Sequence, residues 1–251
     1  MVVEPVATFD WNSIVSLTKE LDGTADPDDL KTAAGVRGIL ALHKAGRVKI
    51  IVPGIAASEK KLGSKTSVGN FSEYKHDLLR LGIPTDHMVL PVCRVDFTFL
   101  DNSFISGADP MESILEHELQ AIIHPSFDMD YQSHCRKKPY NPSPNDPVID
   151  PRWRNRFCDI QAMYAHLVGR GNIFVSDDGK AFHKAKKKDR LIALGAGNVY
   201  TAEQALEALT NDSWVRDNPP YEPPQFENGR LLYVPFVYKT YIELLKSKPT
   251  P

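Results

Sequence analysis

Short apolar runs that break off at acidic or turn residues set the frame of this chain. Val6–Phe9 ends at Asp10, "VKIIVP" (48–53) runs into Gly54, and Ile173–Val175 stops at Ser176, Asp177 and Asp178. Runs this short and this rich in β-branched residues read as strands buried on both faces. The stretches between them carry helical spacing. "DPDDLKTAAGVRGILALHKAG" has Asp26, Asp28 and Asp29 at its amino end, apolar Leu30, Ala33, Val36 and Leu40, and Gly46 past its end, although Gly35 and Gly38 interrupt it. "FSEYKHDLLRLG" is closed by Gly82 and "MESILEHELQAIIHP" by Pro125. "DIQAMYAHLVGRG", opened by Asp159, places Ile160, Met163, Tyr164, Leu167 and Val168 on one face. "NVY" is a short strand, and "TAEQALEAL" begins with a capping box of Thr201 and Gln204. Strand, helix, strand, helix implies an α/β fold, a three-layer α/β/α arrangement around a mostly parallel sheet.

The predicted core spans 1–210, with an insertion at about 94–150 that contains one helix and the Pro-rich tract Pro139–Pro151, read as a loop. "NPPYEPPQF" leads into a C-terminal extension, 211–251, expected to lie on the core with a strand-like "RLLYVPFVY" and a short last helix. A chain of 251 residues buries a sizeable core. The net charge of -2 provides no general attraction to nucleic acid or membrane, so any such binding needs a local patch. Cys93, Cys135 and Cys158 are an odd number without zinc-type pairing, which suits reduced intracellular thiols. His117, His124 and His134 beside Cys135 match no zinc spacing and read as scattered side chains. "MVVEPVATFDWN" has no basic start or long apolar segment, and "IIVPGIAA" is far shorter than the ~20 residues of a membrane span. A cytoplasmic protein without a membrane segment is expected.

Acids recur where ligands gather in such sheets, at the carboxyl ends of the strands. Asp10 follows the first run, Glu59 lies soon after the second, and Asp178 follows "IFVS". Asp159 sits at a predicted helix start that a right-handed crossover brings near the others. Each acid alone is ordinarily a turn former, an N-cap or a partner of the helix dipole. The joint pattern carries more weight than any member.

These segments resemble the PIN-domain nucleases, the family that includes the toxins of many bacterial toxin–antitoxin pairs. "ATFDWNSIVSL" is similar to the family's opening Asp-x-Asn element, "VKIIVPGIAASEKKLG" to its second strand and acidic helix, and "CDIQAMYAHLVGRGNIFVSDDGKAF" to its long signature. "ALGAGNVYTAEQALEAL" resembles the family's final strand and helix. The resemblance implies a PIN-like fold and an acidic set of Asp10, Glu59, Asp159 and Asp178, with Asn12 and Ser176 orienting ligands or waters around it. Phe182 lies one position further from Asp178 than the pattern, so Asp177 stays a rival for the metal position. The activity that the resemblance implies is endonucleolytic hydrolysis of RNA phosphodiester bonds.

Carboxylates crowded together raise one another's pKa unless a cation neutralises them, and all-oxygen ligands suit Mg²⁺ or Mn²⁺. Lys184, Lys186, Lys187 and Lys188 in "HKAKKKDRL" could hold an RNA backbone, or form a solvated helix face. Arg152, Arg154 and Arg156 alternate with Trp153 and Phe157, which suits single-stranded RNA and equally an amphipathic lead-in to a helix. A homodimer and an antitoxin-like protein partner stay open, and no motif indicates either. "FDWNS" is superficially like the opening of haloacid dehalogenase-type phosphatases, but Asn12 stands where that chemistry wants a second acid. The rival from another class is a PIN-like nucleic-acid-binding or interaction module with little catalysis.

Overall fold

The computed structural model describes residues 4–58, 71–89, 110–142, 149–214, 225–227 and 230–233. Five strands, β1 (Val6–Phe9), β2 (Lys49–Pro53), β3 (Met88–Val89), β4 (Ile173–Val175) and β5 (Asn198–Tyr200), pair in parallel in the order β3-β2-β1-β4-β5. The expected α/β sheet is therefore found, entirely parallel among the described residues. Sequence patterning misses β3, whose two residues are too few to display a period. It also misses α1 (Trp11–Leu21) and α5 (Tyr131–Lys137).

Helices cover both faces. One apolar cluster joins Ala7, Phe9, Ile50, Val52, Ile173 and Val175 of the sheet to α1, α2 (Pro27–Lys44), α3 (Phe71–Arg80) and α8 (Ala202–Thr210). The other joins Phe174 and Val199 to α4 (Pro110–Ile123), α6 (Pro151–Val168) and α7 (Ala185–Ala193). Alternation along β1 decides which side chain goes where: Ala7 and Phe9 enter the first cluster, and Thr8 faces the other way toward α6. The Thr8 hydroxyl lies 2.8 Å from Nδ1 of His166, whose Nε2 is 2.9 Å from the Ala196 carbonyl. A carbonyl only accepts, so Nε2 carries the proton and Nδ1 accepts from Thr8. Complete burial holds His166 neutral and pushes its pKa down to about 4.

The glycines that weaken the α2 pattern have a packing reason. A Cβ at Gly35 would lie 2.7 Å from the backbone carbon of Ala202, and one at Gly38 would collide with Leu206. Both positions let α8 lie close against α2. Asp26 caps α2 through a box with Asp29, Pro27 occupies the first turn, and Gly46 ends the helix at φ 70°. The expected Thr201–Gln204 box is present at the start of α8.

One helix boundary differs from expectation in a way that matters. Asp159 does not open its helix: α6 starts at Pro151, and the Asp150 carboxylate accepts from the backbone N–H of Arg152. Pro151, read as the end of a loop, is a first-turn proline. Asp159 consequently sits in the interior of α6. Cys135 and Cys158 are free thiols, and Cys93 lies outside the described residues. In the extension, β6 (Gln225–Glu227) and β7 (Arg230–Tyr233) form an antiparallel pair, and the expected last helix lies outside the described residues. No helix among the described residues is long and apolar enough to cross a membrane.

Candidate functional site

The chain runs from β1 outward through β2 to β3, then returns across the sheet to β4 on the other side of β1. The helices following β1 cover one face and α7, following β4, covers the other. The carboxyl ends of β1 and β4 therefore flank the point where the winding reverses, the usual ligand crevice of a parallel α/β sheet. Asp10 and Asp178 follow these two strand ends.

Asp10 stands at the N-cap of α1, yet its carboxylate makes no capping hydrogen bond. The carboxylates of Asp26, Asp130 and Asp150, at equivalent places, do cap their helices. Instead, Ser176 Oγ donates to Asp10 Oδ2 at 2.8 Å and Asn12 Nδ2 reaches the same oxygen at 3.4 Å. The two helpers implied by the resemblance thus converge on one carboxylate oxygen. Asp10 is only 1 % exposed. Burial, and next the charge of Asp159, push its pKa up to about 7; the Ser176 bond opposes the rise and Asp178 adds to it. Asp159 is likewise raised, chiefly by burial, while its bond to His124 pulls the other way.

The adjacent acids after β4 part company. Asp178 interacts electrostatically with both Asp10 and Asp159. Its backbone N–H donates to Ser176 Oγ, and its Oδ1 accepts from the N–H groups of Lys180 and Ala181. Asp177 turns to the opposite face, where Ser13 donates to it at 3.4 Å and Thr32 and the Ala202 N–H also bond to it. Asp177 therefore ties β4 to α1, α2 and the start of α8, away from the other acids. Glu59 lies outside the described residues. Its neighbour Ser58 offers a carbonyl that accepts from Arg154 Nη1 at 2.9 Å, which ties that end of the chain to α6.

The basic residues divide by exposure. Arg152, Arg156, Lys184 and Lys186 are exposed. Arg154 is held against Ser58, and burial lowers its pKa. Lys187 donates to the carbonyls of Ile123 and Lys180 and feels the charges of Asp178 and Asp159. Lys188 lies 5.2 Å from the centre of the Tyr200 ring. Trp153 and Phe157 stack at 5.1 Å within the core, so these aromatics of "RWRNRF" support the helix and are not presented to a base.

His124 is the residue that sequence reasoning misses. Nε2 of His124 lies 2.7 Å from Asp159 Oδ2. His134 pairs instead with Asp150, and His117 is exposed, so the three histidines do not converge. No spacing rule singles out His124, because its partner is 35 residues away on a different helix.

Among the described residues no three His, Cys, Asp or Glu side chains gather closely enough to form a ready-made metal cage. The donor chemistry still suits one kind of ion. Mg²⁺ and its substitute Mn²⁺ are held through one or two carboxylates, with waters and substrate oxygens completing the shell. Buried Asp10 and the partly buried Asp159 and Asp178, which both raise it, offer only oxygen donors and fit such a cation in donor type. No family model, curated protein or solved structure significantly matches this chain, so its residues and their arrangement carry the functional reading.

Proposed function

We propose that this chain is a PIN-like, metal-dependent ribonuclease that hydrolyses RNA phosphodiester bonds endonucleolytically. The observation that supports this reading is the electrostatic coupling of buried Asp10, at the carboxyl end of β1, to Asp159 of α6 and to Asp178 beyond β4. Glu59 is the fourth proposed acid, and Asp177 is left out of the set because its carboxylate serves the opposite face. Mg²⁺ or Mn²⁺ bound there would activate water for attack on phosphorus and offset charge on the leaving oxygen. The chain's own residues prepare that step. Ser176 and Asn12 fix Asp10 through Oδ2, and two backbone N–H groups fix Asp178. Lys184 and Lys186, both exposed, are the proposed contacts to the RNA backbone, joined by Arg152 and Arg156.

A second reading is a PIN-like RNA-binding module with little catalysis. It is favoured by the pairing of Asp159 with His124, which answers one carboxylate without a metal. Cleavage of structured and single-stranded RNAs, with Mg²⁺, Mn²⁺ or EDTA, separates the two readings. The nuclease reading expects cation-dependent cleavage by the intact chain that is lost in Asp10→Asn and Asp178→Asn. Cation-independent binding without cleavage of any RNA would reject it in favour of the module.

A further inference from the structure

The contact between His124 and Asp159 is made by a firmly held turn. At the end of α4, the Gln120 side-chain amide donates to the carbonyls of His124, Pro125 and Phe127, at 3.1, 3.4 and 2.9 Å. Lys187, from α7, donates to the Ile123 carbonyl at 2.6 Å. The turn is also docked on the helix that carries Asp159. Phe127 packs on Trp153 with ring centres 5.8 Å apart, and Trp153 Nε1 donates to the Asp128 carbonyl at 2.8 Å. His124 and Asp159 side chains are 19 % and 14 % exposed, so their bond is largely shielded from water. Three elements thus fix one imidazole against one oxygen of one carboxylate.

We infer that His124 is a positioning residue of the acidic site, holding Oδ2 of Asp159 so that the other carboxylate oxygen is presented to a divalent cation. This role rests on the proposed metal-assisted reading. It follows the general pattern in which carboxylate ligands are themselves hydrogen-bonded, and loss of the outer partner costs roughly 10–100-fold in metal affinity or activity. It also accounts for part of the insertion, since α4 and its turn carry the imidazole that reaches Asp159.

The deciding experiment measures Mn²⁺ binding to the full chain without RNA, by calorimetry and by the electron paramagnetic resonance of free and bound Mn²⁺. Wild type, His124→Ala and His124→Gln are compared, with circular dichroism to verify folding. His124→Ala should weaken Mn²⁺ binding about 10–100-fold. His124→Gln retains an N–H donor near the Nε2 position and should recover most of that loss, which a purely structural role would not produce. Should wild type and a folded His124→Ala bind Mn²⁺ equally, the positioning role fails while the metal reading stands. Tighter binding by His124→Ala would also overturn it, because the imidazole would then be competing with the cation. No Mn²⁺ binding by wild type would remove the metal reading and this role together. If His124→Ala does not fold, His124→Gln and His124→Asn decide the matter: equal binding by a variant with a displaced donor would reject the role.

Discussion

The interface between β1 and α6 contains two polar rungs that resolve burial in opposite ways. Thr8 faces His166 on one rung, and two residues on, just past the end of β1, Asp10 interacts with Asp159, two helical turns earlier on α6. His166 is fully buried, but each ring nitrogen has a partner and the ring carries no charge. Asp10 is as deeply buried, but it faces another carboxylate, and burial makes its ionised form unfavourable. The first rung is a satisfied structural contact. The second keeps an unfavourable charge arrangement that stability alone does not explain, and such arrangements concentrate at functional sites.

The sharpest way to break this contrast is Asp10→Asn. It should lower cation-dependent RNA cleavage by at least about 100-fold, the upper end of the cost of losing even an outer partner of a metal ligand. Without divalent cation at pH 8 the same substitution should raise stability, by on the order of 2–4 kcal/mol, because it removes a buried charge. Opposite changes in cleavage and melting temperature would mark the rung as functional; a parallel loss of both would reduce it to a structural contact. His166→Ala should do the reverse. Urea unfolding should show a loss of about 3 kcal/mol from the cavity and the stranded polar groups, with Mn²⁺ affinity of the remaining folded protein little changed.

The pH dependence sharpens the comparison further. The folded Asp10 binds its proton more tightly than the ordinary value of 3.8 allows, up to about 7, so its contribution favours folding below pH 3.8 and is lost as pH rises toward 7. His166, lowered from 6.5 to about 4, contributes stability above pH 6.5 that is lost as pH falls toward 4. Denaturant titrations in EDTA should therefore lose the decline from pH 3.8 up to about 7 in Asp10→Asn and part of the decline from pH 6.5 down to about 4 in His166→Gln, each contribution being about 1.4 kcal/mol per pH unit at most. The smallest effects are expected for the hydroxyl partners. Thr8→Val should cost about 1–2 kcal/mol in unfolding and spare Mn²⁺ binding. Ser176→Ala should weaken Mn²⁺ binding about tenfold with less change in stability.

Much of this architecture is legible in sequence because its strands are short, apolar and sharply ended, and its helices carry clear caps. Asp10 and Asp178 stand out for the same reason: each follows a strand whose end is marked. The choice between Asp177 and Asp178 needs three dimensions, since neighbours after a strand point to opposite faces and composition does not say which face holds the acids. Asp159 stands out in the sequence with the wrong local setting, because Asp150 and Pro151 look like loop residues while serving as a helix start. His124 is illegible because the turn that aims it depends on Gln120, Lys187 and Trp153, which come from three different helices. Glu59 remains a proposal from resemblance alone, outside the described residues.

The strand order has a consequence for synthesis. β1 is the middle strand, but its neighbour β4 begins only at Ile173. At about 5–20 residues per second, on the order of ten seconds or more separates the two during translation. Throughout that interval one edge of the most central strand has no partner from its own chain, and Asp10 and Asp178 are still apart. The like charges therefore meet only once β4 pairs with β1, so the first half of the chain is free of their repulsion while it is made.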